Sequence, residues 1–142
     1  MRKNLESLCI EEQTSGIRTA CVIISQSEIV GYGSLLRYSE YAHFRNHHIP
    51  EINDIWIYGP YRRKGFASLL IAHLEQLAAS HGFHEVGLGV GLYRDYVPAQ
   101  KLYFRLGYEP AREGITYKNT TVTAGEKYPV DDDLIFWLTK HI

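Results

Sequence analysis

The chain has 142 residues, 45% hydrophobic and 22% charged, which is enough for one globular domain over residues 1–142 and too little for a two-domain enzyme. Fifteen Lys and Arg against 16 Asp and Glu leave a formal charge of −1, which excludes the global basic field of a nucleic-acid or anionic-membrane binder, so any anion site has to be local. No apolar run approaches the roughly 18 residues of a membrane span, and Met1-Arg2-Lys3 leads into no apolar signal core, so a cytoplasmic protein with no membrane partner is expected. Cys9 and Cys21 have neither metal-ligand spacing nor the density of a disulfide scaffold and are expected to be reduced structural thiols.

Thr19 to Ser25 and Ile29 to Leu36 are β-rich runs around the polar Gln26-Ser27-Glu28, which predicts a hairpin. Tyr38 to Pro50 breaks the pattern with Tyr, His and polar residues. Alternation returns over Glu51 to Tyr58 as a third strand, and Gly59-Pro60 stops it. Phe66, Leu69, Leu70, Leu74, Leu77 and Ala78 then recur at helical spacing up to Gly82. From His84 to Leu92, Val86, Leu88, Val90 and Leu92 alternate with Gly87, Gly89 and Gly91, so one face of this strand is branched and the other bare, and something must approach the bare face closely. A second helix starts near Pro98 and ends at Gly107, and Gly114 to Lys118 and Leu134 to Thr139 are two further strands. The sum is a mixed-sheet α/β domain whose central strand-helix-strand unit is parallel, flanked by antiparallel strands.

Chemistry concentrates in Arg62-Arg63-Lys64-Gly65-Phe66-Ala67, between a strand end and the first turn of the long helix. The first amides of a helix have no intrahelical partner and point outward with the positive end of the dipole, so this turn is suited to a diphosphate. Gly65 admits a ligand to the backbone, and three cations surround the spot without a Walker lysine-serine signature. Residue chemistry alone leaves a solvated basic helix start equally open.

Arg62-x-x-Gly65-x-Ala67 after a strand resembles the acetyl-CoA signature of the GNAT N-acetyltransferases, and Ala99-Gln100-Lys101-Leu102-Tyr103-Phe104-Arg105-Leu106-Gly107-Tyr108 is similar to the same family's Ala-x-x-Leu-Tyr-x-x-x-Gly-Phe/Tyr helix and following strand. The resemblance covers roughly residues 18 to 142. It implies the GNAT acyl-CoA N-acyltransferase fold with a shortened N-terminal region, and an enzyme that moves the acetyl group of acetyl-CoA, its co-substrate, to an amine without a metal. In that family two strands, here Glu51 to Tyr58 and His84 to Leu92, splay apart and pantetheine slots between them against Ile57, Tyr58 and Gly59. The amides of Arg63, Lys64, Gly65, Phe66 and Ala67 would hold the pyrophosphate with Arg62 nearby, and the bare glycine side would help clear room. Tyr103 matches the tyrosine that protonates the departing thiolate. Glu51 lies where the histone-modifying branch keeps its catalytic glutamate; Asp54 or a water relay are the alternatives, and a bulge would decide whether both carboxylates share a face.

Three departures from the family pattern stand out. Little chain precedes the first hairpin, which shortens the usual acceptor wall and makes a homodimer that completes it one expectation. Gly59-Pro60 moves a customary proline by one residue, and Tyr96 replaces an asparagine that binds pantetheine in many relatives. Tyr38, Tyr41 and Phe44 either line the acceptor mouth or cover the sheet where helices are missing. His43, His47 and His48 are expected to form a polar loop beside the acceptor cleft, and Asp131 to Asp133 either attract a cationic amine or form a solvated turn. A weak acyl-CoA-binding module, and transfer of another acyl group or to a hydroxyl, are the competing functions.

Overall fold

A computed structural model describes the backbone of residues 5–11 and all of residues 17–142; Met1-Arg2-Lys3 and the Cys9 side chain lie outside that description. Eight strands form one mixed sheet in the order β1-β2-β3-β4-β5-β8-β6-β7. They are β1 (Leu5–Glu11), β2 (Arg18–Ser25), β3 (Glu28–Leu36), β4 (Glu51–Ile57), β5 (Glu85–Gly91), β6 (Glu109–Tyr117), β7 (Thr120–Thr121) and β8 (Leu134–His141). Three helices accompany them: α1 (Ala42–Asn46), α2 (Phe66–Ser80) and α3 (Val97–Arg105). Among the described residues only the β4–β5 junction is parallel, and α2 makes the crossover, as expected of the central unit.

The first hairpin is tighter than the sequence reading allowed. Gln26 and Ser27 alone form the turn, both with positive φ, and Glu28 already pairs with Ser25. Three elements were not legible. β1 pairs antiparallel with Thr19 to Ser25 of β2, α1 lies inside the stretch read as a broken pattern, and the two-residue β7 pairs with the end of β6 inside what was read as a polar connection.

Alternation divides the sheet into two faces. On the first, Cys21, Ile23, Leu35, Ile52, Val86, Leu88, Val90 and Leu138 bury against Leu70, Ile71, Leu74 and Ala78 of α2, and α3 adds Ala99, Leu102, Tyr103 and Leu106. On the second, α1 brings a smaller cluster of Tyr41, Phe44, Ile49, Ala111 and Trp137. Tyr41 and Phe44 therefore cover the sheet, at 3% and 0% exposure, whereas Tyr38 faces solvent. Tyr41 stacks on Trp137 at 4.4 Å, and burial followed by the charge of Glu113 pushes its phenol up to about 12.

The bare side of β5 is filled by the protein itself. A β-carbon on Gly87 would lie 2.2 Å from the Phe44 ring, and one on Gly91 would lie 2.3 Å from Tyr96. The close approach predicted from the glycines is real. The approaching groups are the chain's own rings, so this side does not open room for a coenzyme.

The expectation of reduced cysteines is overturned for Cys21, which is disulfide-bonded. The β1–β2 register sets it directly across from Cys9, the chain's other cysteine. Opposed cross-strand residues lie within disulfide reach, a proximity invisible while β1 was unrecognised. Cysteine usage therefore no longer argues for a reducing compartment.

Candidate active site

β4 and β5 share a single pair, Glu51↔Gly87, with the Gly87 amide donating to the Pro50 carbonyl at 2.9 Å, and then diverge. The amide of Tyr58 donates to Val30 across β3 at 3.0 Å. Neighbouring peptide units in a strand point opposite ways, so the amide and carbonyl of Ile57 face the slot between β4 and β5. Arg62 confirms that direction, since its Nε donates to the Ile57 carbonyl at 2.8 Å and its guanidinium lies 4.5 Å over the Trp56 ring. Arg62 is thereby fastened to the mouth of the slot. Tyr58 is turned away from it, and its carbonyl accepts the Tyr61 amide in the 3-10 turn Gly59–Tyr61.

Past that turn Arg63 has φ +62° and Gly65 φ +83°. The first α2 bond runs from the Leu69 amide to the Gly65 carbonyl at 3.2 Å, so the amides of Phe66, Ala67 and Ser68 precede the helical ladder and have no partner within it. Phe66 and Ala67 pack their side chains on the core, which anchors the turn, while Arg63 and Lys64 are exposed. A β-carbon at Gly65 would meet nothing within 4 Å. The glycine serves the left-handed backbone and leaves the approach to the amides open.

Glu51 stands where the slot begins. Ile52 and Ile55 face α2, which turns Glu51, Asn53 and Trp56 to the second face. The β3–β4 register slips between Tyr32↔Trp56 and Ser34↔Asn53, and Asp54 sits in the slip with φ +56°. This bulge carries Asp54 to the same face as Asn53, because one Arg18 nitrogen, Nη1, donates to Asn53 Oδ1 at 3.1 Å and to Asp54 Oδ2 at 3.2 Å. The two carboxylates thus share a face and differ in environment: Asp54 is exposed, whereas Glu51 is half-buried. Burial pushes the Glu51 carboxyl above its ordinary value. The Ser39 hydrogen bond opposes that shift, and the charges of Asp54 and Glu40 add to it.

Ser39 was missed by the sequence reading. It is 1% exposed, its Oγ donates to Glu51 Oε1 at 2.6 Å, and the same Oγ accepts the Tyr41 amide at 3.0 Å. With the amide on its lone pair, the hydroxyl has one proton and one direction for it. No sequence signal could single out this serine within a polar loop.

Tyr103 lies on the first face, packed with α2 and 6.2 Å from the Tyr108 ring, and burial raises its phenol above the ordinary value. Glu51 and Tyr103 therefore lie on opposite faces of the sheet. The other candidates are committed elsewhere. Tyr96 and Tyr93 both donate to Asp132 Oδ1, and Asp131 accepts Tyr117 at 2.9 Å, so this acidic run ties the β7–β8 connection down. The His43 and His47 rings lie 4.4 Å apart, with His43 Nδ1 3.6 Å from Glu113. Among the described residues no three His, Cys, Asp or Glu side chains converge as metal ligands. No helix among them is long and apolar enough to cross a membrane.

A profile of the Acetyltransferase (GNAT) family matches residues 4–108. No curated protein matches the chain significantly by sequence. Among solved structures, a GNAT family acetyltransferase from Elizabethkingia anophelis with acetyl-CoA bound superposes with a TM-score of 0.70 at 13% identity, over 99% of each chain. An IAA acetyltransferase from Bacillus cereus gives 0.69 at 14% identity, over 97% of this chain and 99% of that one. An aminoglycoside 6'-N-acetyltransferase complexed with coenzyme A gives 0.63 at 18% identity, over 89% and 74%.

Proposed function

The chain belongs to the GNAT acetyltransferase family, and from that premise we propose that it moves the acetyl group of acetyl-CoA directly to a primary amine. The observation that carries this reading is the slot itself. β4 and β5 part after one pair, unpaired helix-start amides follow the end of β4, and Glu51 stands at the one pair the strands share. Coenzyme A and acetyl-CoA in structural neighbours of the same fold support the choice of co-substrate.

In this reading the amides of Arg63 to Ala67 hold the pyrophosphate, with Arg62, Arg63 and Lys64 supplying positive field. Pantetheine runs along Ile57 to Gly59, and the Ile57 amide polarises the thioester carbonyl. An ammonium acceptor first loses one proton, to Glu51 directly or through water, with Asp54 as the alternative base. The freed nitrogen attacks the carbonyl carbon, the C–N bond forms and the C–S bond breaks. The thiolate takes a proton from Tyr103; the base, having passed its first proton to water, takes the second amine proton and releases it as well, and Tyr103 regains a proton from water. The products are the acetamide, the coenzyme thiol and one net proton. A homodimer and the absence of nucleic-acid and membrane partners complete the proposal, supported by near-neutral charge and by the exposed Tyr32 and Trp56 of the second face.

Calorimetric titration with acetyl-CoA, followed by thiol release over a panel of amines and alcohols, tests it. Binding with turnover of amines is the expected result. Binding without turnover of any acceptor would mark a coenzyme-binding module, turnover of alcohols alone would move the acceptor class, and absence of binding would overturn the proposal.

A further inference from the structure

On the second face, beside the bulge, Arg18, Tyr32, Ser34, Asp54, Ile55 and Trp56 line an open basin of about 600 Å³. We propose that this basin is the acceptor subsite and that it selects a zwitterionic α-amino acid with an apolar side chain. The inference rests on the acetyl-transfer reading and names its substrate class.

Five features carry it. The basin shares β4 with Glu51 and with the edge of the slot, so an amine held there is next to the proposed base. It presents one charge of each sign, Arg18 and Asp54, with 33% and 66% of their side chains exposed. Among the described residues Arg18 meets Asn53 and Asp54 through a single nitrogen, and a guanidinium is a fork of five donors, so its geometry suits a carboxylate received on a second edge. Asp54, held in a left-handed backbone by the bulge, offers its carboxylate to an ammonium. Around this pair stand Tyr32 and Trp56, 39% and 48% exposed, large apolar surfaces on the same face.

The same charge balance argues against a polycation. A polyamine or aminoglycoside would set several ammonium groups against a basin that offers a single carboxylate, leaving the further cations unmatched beside Arg18. An amino acid matches each group with its opposite: carboxylate to Arg18, ammonium to Asp54, side chain to the rings.

Thiol release with acetyl-CoA tests this on leucine and phenylalanine, against leucinamide and phenylalaninamide and against isoamylamine and phenethylamine. The expected result is a kcat/KM at least tenfold higher for the acids than for their amides and amines. Arg18→Gln should compress that ratio toward one, with Arg18→Lys intermediate, while calorimetry gives an unchanged Kd for acetyl-CoA. Circular dichroism of both variants verifies the fold. Amides or amines used as well as the acids, spermidine or kanamycin preferred, or no turnover of any acid despite coenzyme binding would each overturn the subsite. Failure to bind acetyl-CoA would instead overturn the transferase reading beneath it.

Discussion

Removing the Ser39 hydroxyl should displace the acid limb of the pH–rate profile upward. Burial makes the charged form of Glu51 costly, and the 2.6 Å bond from Ser39 is the largest effect that opposes it. A hydrogen bond to a charged group contributes about 1.5–3 kcal/mol. At about 1.4 kcal/mol per tenfold in protonation, Ser39→Ala should move the acid limb of kcat/KM up by roughly one to two pH units. Below that limb the rate should fall about tenfold to a hundredfold and recover as pH rises. A stability effect accompanies it, since the Tyr41 amide loses its acceptor, at a cost of about 1–3 kcal/mol. Its pH dependence has a definite sign. Folded Glu51 binds its proton more tightly than unfolded Glu51, so stability falls as pH rises from the unfolded value through the folded one. Ser39→Ala extends that window upward, and its deficit against the parent should be larger at neutral pH than at pH 4. The assay is thiol release at saturating acetyl-CoA from pH 5 to 9, with thermal melts at both ends. In a Glu51→Gln background the serine substitution should leave the limb where it is. An unmoved limb in Ser39→Ala itself, with Asp54→Asn moving it, would transfer the base to Asp54 and refute the reasoning.

Tyr103→Phe keeps the ring's packing and deletes the phenol, so turnover should drop about tenfold to a hundredfold with little change in coenzyme Kd by calorimetry; parental turnover across pH would remove it from the reaction. Gly65→Val places a β-branched residue at φ +83° and should destabilise by about 1–2 kcal/mol while weakening acetyl-CoA binding severely. Arg63→Ala leaves the amides in place and should weaken binding modestly, with the deficit shrinking at high salt; parental affinity in folded Gly65→Val would mean that the coenzyme does not cross this turn. Gly87→Ala drives a methyl into the Phe44 ring and should cost about 1–3 kcal/mol in urea unfolding, relieved by Phe44→Leu in the same chain.

Local rules carried much of the architecture. The alternation of Ile52, Val86, Leu88 and Val90 and the helical recurrence of Leu70, Leu74 and Ala78 are periodicities of single elements, so the α2 crossover and its flanking strands were legible without neighbours. The Arg62 to Ala67 turn was legible for the same reason, because unpaired amides at a helix start are a property of the helix alone. Tertiary structure decided what depends on register and on residues distant along the chain. β1 has its meaning only against β2, and with it the disulfide at Cys21. The bulge that brings Asp54 to the face of Glu51 is a slip between two strands. Phe44 across Gly87 and Tyr96 across Gly91 fill what composition marked as empty. Ser39 reaches Glu51 because the loop carrying α1 folds back on β4. A hydrogen bond between residues twelve apart leaves no period in the sequence, so the group that orients the proposed base could be found only once the chain had closed on itself.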